Sequence, residues 1–301
     1  MKHIFIVNPN AGQKQQDLLI EKIRKVFEEK DFYIEYTTKE KEATEIAKRY
    51  AKSGIQMCIY ACGGDGTLHE VVNGIIGYKN VSLGIIPIGT GNDFIKSLSK
   101  HYKKSDFLNI ENYLEAVFEP CDLLKIDQEY SLNTVSIGFD VRIAEGVSKF
   151  RKLIKNGNTI PYLLSLLTSI ARSLGFELNV LLDGIAGGVK EYSFVVAGNG
   201  KYYGGGFLPC PDADFKDGYI DVCLVKKIKH IQIPQLIGKY KKGTHTKYSE
   251  IVEMRKVKKM QIIARDMIEI CLDGEIRKYL NPIIEIVPSA ITLCLPRKEE
   301  M

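Results

Sequence analysis

The 301-residue chain is predicted to fold as two domains: an α/β N-terminal half on a parallel sheet, then a mainly antiparallel β-sandwich C-terminal half. Three observations predict this. Over the first ~120 residues short apolar runs alternate with helical stripes. After Pro120 apolar residues recur at every second position instead. A glycine turn, Gly63-Gly64-Asp65-Gly66-Thr67, sits between a buried apolar run and an apolar helix, which is where an open parallel sheet binds ligands.

The elements follow in order. His3–Val7 is a short apolar strand, and Leu18, Leu19, Ile23, Val26 and Phe27 make one helical stripe. Phe32–Tyr36 is the second strand, followed by a helix near Ala43–Lys52. Met57–Cys62 is a buried strand, with a helix near Leu68–Ile76 after the glycine turn. Ser82–Ile88 is a fourth strand ending at Gly89-Thr90-Gly91-Asn92-Asp93. The β-α-β-α order predicts a parallel sheet covered by helices on both faces. Beyond it, Leu178, Val180 and Leu182, then Ile220, Val222 and Leu224, then Ile268, Ile270 and Leu272 each read as half-buried strands. A helical insertion is expected over Val141–Leu174. The domain boundary is placed at 121/122, giving domains 1–121 and 122–301, with the last residues free to pack back on the first domain.

Composition narrows the class. Hydrophobic residues make up 45% and charged residues 26%, ordinary values for a globular protein. No run approaches the ~20 apolar residues that span a bilayer. The N-terminal apolar run stops at Asn8-Pro9 and reads as a strand, not a signal peptide, so a cytoplasmic location is expected. Seven cysteines without CxxC spacing, and scattered histidines without HExxH, argue against disulfides and structural zinc. Net charge is +5, with basic clusters at Arg151, Lys152 and Lys155; Lys226, Lys227 and Lys229; Lys239, Lys241 and Lys242; and Arg255, Lys256, Lys258 and Lys259. These suit solvated faces or anionic lipid headgroups. No helix-turn-helix or RNP pattern supports nucleic acid.

The chemistry-bearing residues start at the glycine turn. Its glycines let backbone approach a phosphate, and Thr67 is expected to cap the following helix, whose N–H groups attract anions. Asp65 beside a phosphate requires a bridging Mg²⁺ or an organising hydrogen-bond network. Walker-loop, GxGxxG and protein-kinase motifs are absent. Asp273-Gly274-Glu275 reads as a hairpin turn or as a carboxylate pair for proton transfer to or from an alcohol. Asp212 to Asp221 is an acidic turn with oxygen donors suited to Mg²⁺ or Ca²⁺.

Gly63 to Glu70, GGDGTLHE, is similar to the GGDGT-N-E motif of diacylglycerol, ceramide and sphingosine kinases. NAD kinases and phosphofructokinases carry shorter relatives of it. Asn8-Pro9-Asn10-Ala11-Gly12 resembles the NPxSG loop of lipid kinases, and Pro87 to Phe94 resembles their P-x-GTxNDF segment. Asn133 to Asp140, Gly198 to Phe207 with Pro209 to Val222, and Asp273 to Glu275 also fit, in the family's order along nearly the whole chain. The sequence is thus identified as resembling the diacylglycerol kinase family. That resemblance implies an NAD kinase- or phosphofructokinase-like parallel sheet in the first domain and transfer of the γ-phosphate of ATP to a lipid hydroxyl, most simply that of diacylglycerol. It implies a nucleotide site at Asn8, Pro9, Asn10, Ala11, Gly12, Thr37 (or Thr38), Gly63, Gly64, Asp65, Gly66, Thr67 and Thr90, with Asn92 and Asp93 at the substrate cleft. Glu275 is the implied general base, and Asp273 and Asp65 share an Asp–water–Mg²⁺ network. A structural Mg²⁺ is implied at Asp217, with carbonyls near Asp214 and Tyr219.

Lys96, His69, Asn10 and Ala11 depart from the usual pattern and bear on nucleotide preference. Val147–Gly157 and Ile160–Phe176 are expected to be helical, either as core or as a surface meeting the membrane that holds the lipid partner. Peripheral membrane contact is therefore expected, and the assembly is open between monomer and homodimer. A kinase for another lipid, an NAD kinase-like enzyme and a catalytically silent binder are the rival readings.

Overall fold

The computed structural model describes residues 1–138 and 175–298. The chain divides into two compact units. One comprises Met1–Leu123, Phe215–Asp217 and Val287–Met301; the other comprises Leu124–Asp214 and Gly218–Ile286. The expected helices at Val147–Gly157 and Ile160–Phe176 lie almost wholly outside the described residues. Phe176, the last of them, opens a strand instead.

The first unit alternates strand and helix. β1 (Lys2–Val7), α1 (Gln13–Val26), β2 (Phe32–Tyr36), α2 (Glu42–Ala51), β3 (Met57–Gly63), α3 (Asp65–Ile75) and β4 (Val81–Pro87) follow one another. Two short helices, α4 (Asp93–Ser97) and α5 (Lys104–Leu108), lead to β5 (Val117–Ile126). β2, β1, β3 and β4 lie side by side, all parallel. Successive strand residues face opposite sides of the sheet. Phe5, Val7, Cys58, Tyr60 and Cys62 pack on one side with Leu19, Ile23 and Phe27 of the α1 region and with Tyr113. Ile4, Ile6 and Ile59 bury on the other side. The ring of Phe5 stacks on Tyr60 at 4.4 Å, and Tyr113 meets Tyr60 edge-on at 5.2 Å. Leu18 does not join this core. It lies one residue, about 100° of helical turn, away from Leu19 and is 62% exposed.

The second unit is β-rich. It holds β6 (Glu129–Ser131), β7 (Thr134–Gly138), β8 (Phe176–Leu182), β9 (Ile185–Gly198) and β10 (Ile220–Lys226). After α6 (Ile233–Lys241) come β11 (Val252–Val257), β12 (Lys259–Ile263), β13 (Ile268–Leu272), β14 (Glu275–Tyr279) and β15 (Ile283–Leu295). The neighbours run β14-β13-β7-β9-β8-β12-β15, and β10 joins β9 to β11. These pairings are antiparallel. In the first unit the far end of β15 instead pairs β4 in parallel, Thr292 opposite Ser82.

β10 and the second half of β9, from Tyr192 on, are buried on both faces, which explains their near-continuous apolar runs. Val195, Ala197, Ile220, Val222 and Leu224 enter one core with Leu178, Val180, Ile270 and Leu272. Val196, Cys223 and Val225 enter a second core with Ile233 and Tyr240 of α6. Each fully buried Val, Leu or Ile among them contributes about 1.5–3 kcal/mol. All seven cysteines are buried within these layers. No helix among the described residues is long and apolar enough to cross a membrane.

Candidate active site

In the first unit, β1, β2, β3 and β4 end on loops that carry Asn8–Gly12, Thr37, Gly63–Thr67 and Ile88–Asp93 respectively. Parallel pairing brings these ends together: Val7 lies opposite Tyr36 and Cys62, and Gly63 lies opposite Pro87. The loops are then tied by backbone. Asn8 N–H donates to Cys62 O at 3.0 Å, Thr37 N–H to Val7 O at 3.0 Å, and Gly89 N–H to Gly63 O at 3.0 Å.

Glycine is required at two of these crossings. Gly12 has φ 63°, and a Cβ there would stand 2.6 Å from Ile88 O. A Cβ on Gly89 would stand 2.4 Å from Gly64 Cα, so two backbones pass in contact. α1 and α3 begin directly behind the loops, with their free N–H groups and positive dipole ends. This is an arrangement that holds anions.

The side chains refine the cradle. Asn8 Nδ2 donates to Thr67 Oγ1 at 3.2 Å, and Asn10 N–H donates to Asn8 Oδ1 at 2.9 Å. The expected capping role of Thr67 is corrected: Gly64 is the N-cap residue of α3 and no side chain caps it. Thr67 is buried in the first turn of the helix, where its oxygen accepts from Asn8. Asp65 opens α3 and accepts the Asp93 N–H on Oδ1 at 2.8 Å. Asn92, at φ 51°, donates to Gly89 O at 2.6 Å. Thr90 is exposed on this loop. Lys96 Nζ pairs with Asp93 Oδ1 at 2.6 Å, so the residue that departs from the arginine pattern still neutralises a buried acid. Thr37 is buried, whereas the Thr38 hydroxyl donates to Glu42 at 2.8 Å. The two Thr38 donors and the Lys39 N–H hold the Glu42 carboxyl below its ordinary pKa.

Glu70 is a residue whose role sequence reasoning missed. Its carboxylate accepts the N–H groups of Lys41 at 2.9 Å and Ala43 at 3.1 Å, and so serves the N-terminus of α2. The acid of the GGDGTLHE segment thus fixes one helix to another. The signal was present in the motif, but its partner lies 29 residues away.

In the second unit, three separate segments form one hydrogen-bonded knot. Asp273 and Gly274 have φ 50° and 102° and make the two-residue turn that joins β13 to β14, with Leu272 opposite Glu275. The Asp273 carboxylate turns onto the 131–134 loop. It accepts Ser131 Oγ at 2.7 Å, Leu132 N–H at 2.8 Å, and the N–H groups of Asn133 and Thr134 at 3.0 Å. Asn133 O in turn accepts the N–H groups of Asn199 and Gly200 at 2.9 and 2.8 Å. Asn199 Nδ2 donates to Leu132 O at 2.7 Å, and Asn133 Nδ2 donates to Tyr202 O. Ser131, Leu132, Asn133, Thr134 and Asn199 are all buried.

Glu275 emerges from this knot at the start of β14, its side chain 46% exposed, with Arg277 Nη1 3.5 Å away.

The acidic turn divides between the units. Asp214 and Tyr219 are exposed and belong to the second. Phe215–Asp217 belong to the first, where Phe215 O accepts the Asp122 N–H at 2.7 Å. The Phe215 ring meets Phe94 of the NDF segment at 5.9 Å, and Lys216 pairs with Glu119 at 2.8 Å. Among the described residues no group of three or more His, Cys, Asp or Glu stands ready to hold a metal. Four residues of the basic clusters form ion pairs: Lys227 with Glu191, Arg255 with Glu253, Lys256 with Asp221 and Lys259 with Glu285. The Arg151 cluster lies outside the described residues.

Comparison with known proteins accords with this geometry. Residues 2–126 match the diacylglycerol kinase catalytic domain, and residues 133–295 match the YegS C-terminal NAD kinase beta sandwich-like domain. A Staphylococcus aureus (strain MRSA252) protein named "Putative lipid kinase" is 28% identical over 255 residues, covering 82% of this chain and 79% of that one. A crystal structure of a diacylglycerol kinase from Bacillus anthracis str. Sterne superposes with a TM-score of 0.76 at 27% identity, covering 98% of this chain and 96% of that one. With both domain models matched in order, the chain belongs to the diacylglycerol kinase family of lipid kinases, a diacylglycerol kinase catalytic domain followed by a YegS-type β-sandwich domain.

Proposed function

We propose that this chain transfers the γ-phosphate of ATP to the free hydroxyl of diacylglycerol, giving phosphatidic acid. The observation that carries the reading is the pair of built sites: a backbone-lined anion cradle in one unit, and in the other a locked Asp273 turn that presents Glu275. The cradle would receive the nucleotide phosphates through Asn8 to Gly12, Gly63 to Thr67 and Thr90, with Thr37 at the edge. Asn92 shapes the loop beside it, and the Asp93 N–H holds Asp65.

Phosphoryl transfer needs positioning and charge stabilisation more than covalent chemistry. Glu275 would take the proton from the acceptor hydroxyl as its oxygen attacks the γ-phosphorus, and ADP would leave. Asp273 acts on that step by fixing the turn from which Glu275 projects.

A divalent cation fits the donor chemistry of the acidic turn. Asp217 offers a hard carboxylate oxygen of the kind that Mg²⁺ takes. Bound there, Mg²⁺ would serve a structural role, holding the turn. An acceptor held in a bilayer also requires peripheral contact with the membrane, which liposome sedimentation with and without anionic lipid tests.

The decisive experiment is transfer from labelled ATP with Mg²⁺ to diacylglycerol in mixed micelles, with Glu275→Gln alongside. Labelled phosphatidic acid is expected, falling about 10²–10⁴-fold in the variant. Product from a crude lipid extract alone would keep the mechanism and change the acceptor. Product with NAD in place of lipid would overturn the lipid reading. No product from any acceptor, with ATP still bound, would leave a silent binder.

A further inference from the structure

Glu275 opens β14, which lies at the end of the strand order β14-β13-β7. Its side chain is 46% exposed, so several staggered rotamers are open to it. A general base must instead keep one oxygen within hydrogen-bond reach of one hydroxyl.

Residues 275, 277 and 279 share a face of β14, and side chains on that face form a chain of contacts leading away from Glu275. Arg277 Nη1 stands 3.5 Å from Glu275 Oε2. The guanidinium is pinned at two further points: Nε donates to Glu129 Oε1 at 3.1 Å, and Nη1, the nitrogen nearest Glu275, donates to Ile276 O at 3.0 Å. Glu129, on β6, is held in turn by the Tyr279 hydroxyl, which donates to Oε2 at 3.2 Å. Burial works against the Arg277 charge, but the hydrogen bond and charge of Glu129, then the charge of Glu275, outweigh it and raise its pKa. All four residues belong to the second unit.

We propose that Arg277 is a positioning residue that orients Glu275 for proton removal, itself held by Glu129 and Tyr279. The inference rests on the reading of Glu275 as the base. Arg277 is not a phosphate clamp: its one positive charge lies between the two carboxylates of Glu129 and Glu275, which leaves the cluster net negative and repels an anion. Arginine suits the task because its rigid planar fork reaches two carboxylates at once, which the single ammonium of lysine does less well.

The test is steady-state transfer by the full chain carrying Arg277→Ala, Arg277→Lys or Glu129→Gln, with Arg277→Ala also placed in the Glu275→Gln background. Arg277→Ala is expected to lower kcat about ten- to a hundredfold, the scale of a base misplaced by an ångström, at unchanged KM for ATP. Arg277→Lys should recover part of the loss, and Glu129→Gln should show a smaller one. In the Glu275→Gln background Arg277→Ala should cost nothing further, because a positioning residue without its base has nothing to position.

Wild-type kcat in Arg277→Ala, or an equal loss with and without Glu275, would overturn the proposal. If Arg277→Ala melts below the assay temperature, Arg277→Gln keeps the stem, removes the charge and enters the same cycle with the same criteria. Full activity in Glu275→Gln would instead overturn the base assignment. An inactive Glu275→Gln beside a fully active Arg277→Ala would sink the positioning role alone.

Discussion

In the first unit the loops beyond β1, β2, β3 and β4 are held mostly by backbone: Asn8 on Cys62, Thr37 on Val7, Gly89 on Gly63, with Gly64 and Gly89 in contact. In the second unit the 131–134 loop is held largely by side chains, above all the Asp273 carboxylate, which gathers Ser131, Leu132, Asn133 and Thr134, with Asn199 on Leu132 O. The difference follows from the work proposed for each. A phosphate site needs many N–H donors and no bulk, so its sequence is glycine and small polar residues. A proton-transfer site needs one carboxylate at one place, so its neighbours are side chains that hold the turn still.

The comparison breaks most sharply at Gly89. Gly89→Ala forces a Cβ onto Gly64 backbone, which has no flexible end to move. It should destabilise the protein by about 3 kcal/mol and abolish nucleotide binding. Gly64→Ala is the contrast. Its Cβ meets Gly89 Cα at an ordinary 3.5 Å, and its φ of −102° suits any residue. Gly64→Ala should therefore melt like wild type yet bind ATP more weakly, as read by calorimetry. Equal ATP affinity would show that no phosphate approaches that turn.

Next in size, Asp273→Ala removes the acceptor for four donors of a buried loop. It should cost about 2–4 kcal/mol and lower Tm by on the order of 10 °C, as measured by scanning calorimetry. An unchanged Tm would mean that the loop finds other partners.

Acid should weaken both units. Burial pushes the His3 pKa down from 6.5 to about 4, aided by the charges of the N-terminus and Lys30 and opposed by Asp31. Burial does the same to His245 in the second unit, against the hydrogen bond to Pro209 O. Each native histidine stays neutral while the unfolded one takes a proton. Their stability contribution is complete above pH ~6.5 and is lost as pH falls toward 4. Tm should drop across that window, and His245→Gln should flatten the slope.

The smallest expected effect is at the surface. Lys227→Ala breaks an ion pair with Glu191 in which both side chains are nearly half exposed, and it should change stability by less than about 1 kcal/mol.

Much of this fold was legible in the chain. The strand at Phe32–Tyr36 and the period-two runs at Leu178, Ile220 and Ile268 lie where the apolar pattern put them. The glycine turn and the Asp-Gly hairpin were readable because φ > 0 and close backbone approach demand particular residues. The misses share a cause. Leu18 was read into the core because a helical stripe has soft edges, and only packing decides which edge is wet. Thr67 was read as a cap because its residue type allows one, whereas Gly64 takes the cap position and Asn8 takes the threonine hydroxyl.

Local periodicity and turn chemistry, which act within a few residues, therefore determined the two-domain plan, the strand ends that carry the loops, and the residue types of the cradle and the acidic turn. The tertiary structure alone decided partners. Glu70 serves a helix 27–29 residues away, and Asp273 holds a loop about 140 residues away. Strand alternation sets Arg277 beside Glu275, but only the fold brings Glu129 of β6 to hold the guanidinium. A carboxylate accepts from whatever donor the folded chain brings within 3 Å, and nothing in its own neighbourhood of sequence names that donor.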